Sequence, residues 1–153
     1  MKNQWVPVAG LIATMGIAVY VVVQLGAQTP ASIVTGDFSN AAIAEVRDAQ
    51  AQLVLRGNFA AVEEQDENDD EVERKATLES TGVDPDAAGE AEVEFRKNNS
   101  AAQEIEFSIR NVQPGSAFTF TIDGKEVATA TSDNRGRAEV ELEVKGSGPA
   151  TLR

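Results

Sequence analysis

The chain has 153 residues, neither cysteine nor histidine, and a formal net charge of −12 from 13 basic and 25 acidic residues. The missing residue types exclude a Ser-His-Asp triad, a thiolate nucleophile, disulfide bonds and the usual zinc ligands. The acidic balance disfavours nucleic-acid binding, because phosphates are repelled. The length predicts one ordinary domain plus an additional segment.

The additional segment lies at the N-terminus. Residues 5–25 (WVPVAGLIATMGIAVYVVVQL) carry no charge, and as a helix they would span about 30 Å, the thickness of a bilayer core. This length favours an uncleaved membrane anchor over a cleaved secretory signal, for which Ala27 and Ala31 are the candidate processing points. Lys2 precedes the segment, so we expect a cytoplasmic N-terminus in a bacterial inner membrane and a periplasmic or otherwise extracytoplasmic remainder. A cleaved signal would instead give a secreted protein.

Small side chains recur every four residues in this segment, at Gly10, Thr14 and Ala18. Such a stripe lets a second helix approach closely in lipid, so it predicts packing against other membrane-protein subunits. The alternative is that these residues only reflect the usual composition of membrane helices.

After the anchor or signal segment (1–27) the sequence predicts a linker over 28–41, an acidic all-β domain over 42–145 and a flexible tail over 146–153. Alternation of apolar and polar residues with period two predicts strands in the domain. They fall at 42–48, 52–57, 72–80, 90–96, 104–110, 118–123, 126–132 and 138–144.

Turn residues punctuate these strands, and Asp123-Gly124 is typical of a tight hairpin. About eight short antiparallel strands with short connections predict a sandwich or a small barrel. The inward positions include Phe107, Phe118 and Phe120, which we interpret as core residues.

An acidic loop over 63–71 is the first candidate site. Asp66, Asn68 and Asp70 match the first three ligand positions of a calcium loop, but Glu71 stands where that loop needs glycine, and Thr77 where it needs glutamate. This is therefore not an EF-hand, and these three residues are weak metal candidates beside the interpretation as a solvated acidic loop. The sequence predicts no cofactor.

Rows of glutamates form the second candidate, at 90/92/94, 104/106 and 139/141/143. Pairing of neighbouring strands would bring them to one outer face, with Arg96, Arg110, Arg137 and Lys145 as the nearest bases. Carboxylate pairs can hydrolyse glycosides, but such enzymes need an aromatic-lined cleft, so we interpret the rows as a solvated face and expect no enzymatic activity.

The segments AEVRDAQAQLVLRG, VERKATLES, GEAEVEFR and FTFTIDGKEVATATSDNRGRAEVELEV resemble small exported bacterial β-domain proteins of unknown function. The resemblance implies export and a β fold, and transfers no activity.

Two functions are compatible with these features. The chain is either a non-enzymatic, single-span accessory or structural subunit of a bacterial inner-membrane complex, respiratory or photosynthetic, or a secreted or tethered binding module for calcium or a cell-surface ligand.

Overall fold

A computed structural model of the protein describes residues 21–22, 34–60 and 70–145. Strands dominate these ranges, and no helix lies within them, as the alternation predicts. The strands are β1 Val21–Val22, β2 Ile43–Asp48, β3 Leu53–Asn58, β4 Glu71–Ser80, β5 Ala88–Arg96, β6 Asn99–Arg110, β7 Ala117–Ile122, β8 Lys125–Thr131 and β9 Ala138–Lys145.

The strands form one antiparallel sheet in the order β1-β9-β6-β5-β4-β3-β2-β7-β8. The sheet curls until β8 and β9 come into contact without ladder hydrogen bonds, which makes β2 to β9 a nearly closed barrel. The prediction of an all-β antiparallel fold is confirmed. Of the two predicted architectures, the curled single sheet corresponds to the barrel.

The barrel interior is apolar and continuous. Phe107 on β6 and Phe120 on β7 are both fully buried, and their ring centroids lie 5.1 Å apart. Phe118 is also buried, so the predicted inward positions of all three phenylalanines are confirmed. Because β6 and β7 belong to opposite halves of the sheet, this aromatic contact joins the two halves through the core.

The predicted hairpin at Asp123-Gly124 is present between β7 and β8. Both residues have positive φ, 50° and 77°, which is the backbone that a tight hairpin requires and that glycine adopts at little cost. The Asp123 carboxylate also accepts hydrogen bonds from the backbone N–H groups of Ala42 and Ile43, at 3.0 and 2.8 Å. The hairpin therefore fixes the start of β2.

Residues 34–41, within the predicted linker, pack on one end of the barrel. Val34, Phe38 and Ala41 are buried, and the Phe38 N–H donates to Gln103 Oε1 at 2.9 Å. Arg74, on the inner face of β4, donates to the carbonyl oxygens of Ser39 and Ala60. This segment therefore caps one end of the barrel and forms part of its core.

Val21 and Val22 pair antiparallel with Leu142 and Glu141, on the side of β9 that faces away from β6. The rest of the predicted anchor, with Gly10, Thr14 and Ala18, lies outside the described residues, as does the predicted tail. The described ranges contain no helix with the length and hydropathy needed to cross a membrane.

Candidate functional site

The outer surface of β4, β5, β6 and β9 carries the densest charge of the described residues. Inward residues such as Val93, Phe107 and Val140 are buried, so the residues that alternate with them point outward. We call the resulting surface the carboxylate face; it consists of Glu73, Glu90, Glu92, Glu94, Glu104, Glu106, Glu139, Glu141 and Glu143.

The strand register arranges these side chains in rows across the sheet. One row places Glu73, Glu94, Glu104 and Glu143 opposite one another in sequence across the four strands. Directly opposite residues have Cβ atoms about 4.5–5.5 Å apart, and like charges at that distance destabilise a sheet. The row therefore costs folding free energy that the core must offset.

The neighbouring row contains Lys75, Glu92, Glu106 and Glu141. Lys75 Nζ lies 3.2 Å from Glu92 Oε2 and also forms an ion pair with Glu73. One ammonium group thus bridges two rows at the β4 side of the face.

The bases expected beside the rows lie toward their ends. Arg96 is opposite Glu71 in the register, Arg110 is opposite Ala88, and Arg137 pairs with Asp133 at 3.6 Å. Lys145 lies two positions after Glu143 on β9, opposite Ala102 at the end of the ladder. Among the described residues no ion pair involves Glu139, Glu141 or Glu143, so these carboxylates face those of β6 without a paired base.

Crowding raises carboxyl pKa values at the centre of the face. A hydrogen bond with Glu92, partial burial and the negative charges of Glu92, Glu104 and Glu71 together raise the pKa of Glu94 to about 6.

The central strand shows the same effect. The pKa values of Glu104 and Glu106 are raised first by burial and then by neighbouring carboxylates, chiefly Glu141 for the former and Glu139 for the latter. Around neutral pH the ionised forms of these carboxylates are destabilised by one another and by partial burial. A cation that approaches them would relieve the repulsion.

Three of the carboxylates also satisfy a geometric requirement for holding one cation. Single oxygen atoms of Glu73, Glu92 and Glu94 all lie within 4.8 Å of one another. Carboxylate oxygens are the ligands that Ca²⁺ prefers, at 2.3–2.6 Å from the ion. Lys75 already neutralises two of the three, so a metal ion would have to compete with its ammonium group.

The face ends in a hollow beside the β5–β6 hairpin. This cavity of about 280 Å³ is lined by Glu94, Phe95, Arg96, Glu104 and Glu143 among others. The ladder is irregular here, because the register shifts between Phe95 and Arg96. A bulge of this kind re-aims side chains, and it gives the carboxylate face an indented end.

The metal candidates in the acidic loop are only partly described. Asp66 and Asn68 lie outside the described residues. Asp70 is exposed, its carbonyl oxygen accepts from the Lys97 N–H at 2.8 Å, and its Oδ1 accepts from Asn98 Nδ2 at 3.1 Å. In the described structure Asp70 therefore ties the start of β4 to the β5–β6 turn.

The sequence predicts that the glutamates of β5, β6 and β9 share one face, but the structure adds Glu73 and Lys75 to that face, which the sequence does not predict. Both lie in the strand whose alternation is weakest, because Arg74 occupies an inward position there. Only the antiparallel register, with Glu73 opposite Glu94 and Lys75 opposite Glu92, would have revealed them.

Comparisons with protein-family models, with curated proteins and with solved structures found no match. The function of this chain is therefore inferred from its own geometry and charge.

Proposed function

We propose that the chain is a non-enzymatic, single-span accessory subunit of a bacterial inner-membrane complex, and that its exported barrel docks on a basic surface of a partner subunit through the carboxylate face. The observation that supports this proposal is the set of glutamate rows, in which Lys75 forms ion pairs with two glutamates on the β4 side, whereas among the described residues no ion pair involves Glu139, Glu141 or Glu143 on β9. Surfaces of one sign steer complementary partners and fix their orientation.

The uncharged run that begins at Trp5 supports the membrane part of the proposal. Val21 and Val22, near its end, pair with β9, so the proposed span lies before them. An anchor confines the barrel to the membrane surface and so raises its effective concentration near a partner in the same membrane. An electrostatic contact that would be weak in solution is then sufficient for assembly.

The docking contact is tested by reversing charge on the face. Glu106 and Glu141 are directly opposite each other in the register, and we choose E106K/E141K as the variant. Native gel electrophoresis of solubilised membranes should show it released from the large assembly that contains the wild-type chain. D86K/E126K changes the net charge equally outside the face and should remain assembled. Equal migration of both variants with the wild type would contradict the proposal.

The membrane contact is tested separately. Thr14→Leu places a bulky side chain in the middle of the small-residue stripe and should release the chain from its partners on mild detergent extraction. Met15→Leu, at the neighbouring position outside the stripe, should not. If the chain fractionates as a soluble protein that begins after Ala27 or Ala31, the anchor proposal is wrong.

A second candidate is a tethered or secreted calcium-binding module, favoured by the mutual approach of Glu73, Glu92 and Glu94. Calorimetric titration with Ca²⁺ should then show binding in the range typical of extracellular modules, about 10⁻⁴–10⁻³ M. Glu92→Gln should weaken it, whereas Asp70→Asn, in the loop candidate, should not. Lys75→Met should strengthen it because the competing ammonium group is removed. Unchanged affinity in the Lys75 variant would contradict a calcium site at this position.

A further inference from the structure

The two ends of the barrel differ. Residues 34–41 cap one end, whereas the opposite end contains a cavity of about 510 Å³. Its walls are the β2–β3 turn, the β4–β5 loop and the β6–β7 loop, and it lies away from the carboxylate face. Pockets of about 300–1,000 Å³ at barrel mouths are common sites for small ligands.

The β2–β3 turn is held in place by a carboxylate. Asp48 Oδ1 accepts hydrogen bonds from the backbone N–H groups of Gln50 and Gln52, at 2.9 and 2.8 Å. The turn includes Ala51 at a φ of 61°, a strained conformation that these bonds stabilise.

The β6–β7 loop is held by a buried serine. The Ser132 hydroxyl, on a residue that is 4% exposed, donates to the Gln113 carbonyl oxygen at 2.6 Å and accepts from the Ser116 N–H at 3.1 Å. The Gly115 N–H donates to the Ser132 carbonyl oxygen at 3.2 Å.

The third wall is tied to β3. The Thr81 N–H donates to the Val54 carbonyl oxygen at 3.0 Å, and the Ala87 N–H donates to the Asp84 carbonyl oxygen at 3.1 Å. The backbones of all three walls are thus fixed by internal hydrogen bonds, so ligand binding would cost little ordering of these loops.

The polar groups around the cavity are mostly amides. The side chains of Gln50, Gln52 and Gln113 line it and make no hydrogen bond within the described part of the chain. Each amide offers two donor hydrogens and an acceptor oxygen. Asp48 and Asp84 add carboxylate acceptors, and none of the described residues that line the cavity is basic, so anionic ligands are disfavoured.

Apolar groups complete the lining. Val54 and Phe118 are buried beneath the cavity, and Val83, 47% exposed, is the large exposed hydrophobic residue of the described ranges. A suitable ligand therefore combines many hydroxyl or amide groups with a small apolar face, carries no negative charge, and is compact.

We propose that this cavity binds a neutral saccharide of one or two rings. Hydroxyl groups both donate and accept hydrogen bonds, as the three glutamine amides require, and the C–H face of a sugar ring complements Val83. An extended peptide fits less well, because peptide binding by strand addition needs an open sheet edge. The strands that lead into these loops, β2 to β7, each have a partner on both sides.

The test is a titration of the isotope-labelled full-length protein, in a detergent without a sugar headgroup, followed by amide NMR. The probes are maltose, cellobiose and N,N′-diacetylchitobiose, with glucose 6-phosphate as the anionic comparison and the tripeptide Lys-Ala-Lys as the peptide comparison. At least one disaccharide should shift the side-chain amide signals of Gln50, Gln52 and Gln113, and glucose 6-phosphate should shift them less.

Gln52→Ala and Gln113→Ala should each weaken saccharide binding roughly fivefold, which corresponds to one neutral hydrogen bond. Asn58→Ala removes an exposed amide elsewhere on β3 and should leave affinity unchanged. Both glutamines are exposed, so the variants should retain the wild-type spectrum outside the cavity. The proposal is overturned if no disaccharide shifts these signals at about 20 mM, a concentration that would populate even a millimolar complex, or if only the tripeptide shifts them. The test does not involve the carboxylate face, so either proposal can fail alone.

Discussion

The two halves of the barrel neutralise their outer charges differently. On β2 and β3, Glu45 lies between two arginines, 3.1 Å from Arg47 Nη2 and 3.8 Å from Arg56 Nε. On β4, β5, β6 and β9 the outward side chains include many glutamates, and Lys75 forms ion pairs with two of them, Glu73 and Glu92. Both halves have an alternating pattern and a shared core, so this fold does not itself require the charge imbalance. The difference identifies the carboxylate face as the surface whose composition needs a functional explanation.

The largest expected effect concerns the core that both halves share. Phe107→Ala removes the ring that packs on Phe120 across the barrel and should lower the free energy of unfolding by about 3–5 kcal/mol. Urea denaturation followed by circular dichroism and by NMR should give one coincident transition. Val83→Ala, at an exposed site, should change stability by less than about 0.5 kcal/mol. Two separate transitions in the wild type would show that the halves are independent.

The next effect is a rise in stability as pH falls from about 8 to about 5. The folded-state pKa of Glu94, about 6, lies above its ordinary value of 4.5. The folded protein therefore binds more protons than the unfolded chain between these values. The stabilisation from this group is complete below pH 4.5 and is lost as pH rises through 6.

Two aspartates set the lower end of the pH range in which the protein is most stable. Hydrogen bonds from Ser39 and Gln103 lower the pKa of Asp37, and those from the N–H groups of Arg137 and Arg135 lower that of Asp133, both from 3.8. The stability they contribute is present above pH 3.8 and is lost as pH falls through their folded-state values. Thermal unfolding should accordingly be most resistant between about pH 4 and pH 5. A melting temperature that rises steadily from pH 5 to pH 8 would contradict this picture.

Added salt should stabilise the protein at neutral pH, by a smaller amount. Ions screen repulsion among exposed carboxylates within a Debye length of about 8–10 Å. The melting temperature should rise between low and moderate NaCl concentration, and E104Q/E106Q should show a weaker rise. A single change on the balanced half, Glu45→Gln, removes attraction instead of repulsion and should not weaken the rise.

The smallest expected effects come from neutralising one glutamate in each half of the barrel. The two substitutions should change stability in opposite directions. Glu94→Gln removes a charge that its neighbours repel and should stabilise the protein by less than about 1 kcal/mol, because the site is partly screened by solvent. Glu45→Gln removes the partner of two arginines and should destabilise it by about 0.2–1 kcal/mol. Chemical denaturation at pH 7 measures both. If both substitutions stabilise the protein, or both destabilise it, the proposed difference between the two halves is contradicted.

Much of the barrel could be predicted from local patterns. The predicted strand at 104–110 corresponds to β6, with Ile105, Phe107 and Ile109 buried, because a pleated strand places alternate residues on opposite faces. The hairpin at Asp123-Gly124 could also be predicted from the sequence, because few residue types tolerate the positive φ values that it requires. Both are properties of neighbouring residues along the chain.

Other features needed long-range information. Residues 34–41 have a linker-like composition, yet Phe38 becomes part of the core through a hydrogen bond to Gln103, 65 positions away. Arg74 breaks the alternation of β4 because its guanidinium group reaches carbonyl oxygens of two other segments. Composition and periodicity contain no signal for such contacts.

By itself, the sequence determined the strands, the turns, the absence of thiol and imidazole chemistry and the excess of carboxylates, since these depend on residue types and on spacings of a few positions. The tertiary structure decided which carboxylates face one another, since the row from Glu73 to Glu143 exists only once four strands are in register. It also brought three loops, distant in sequence, around the glutamines of the end cavity. Pairing and closure of the sheet are set by how the whole core packs, and this information is distributed over the entire chain.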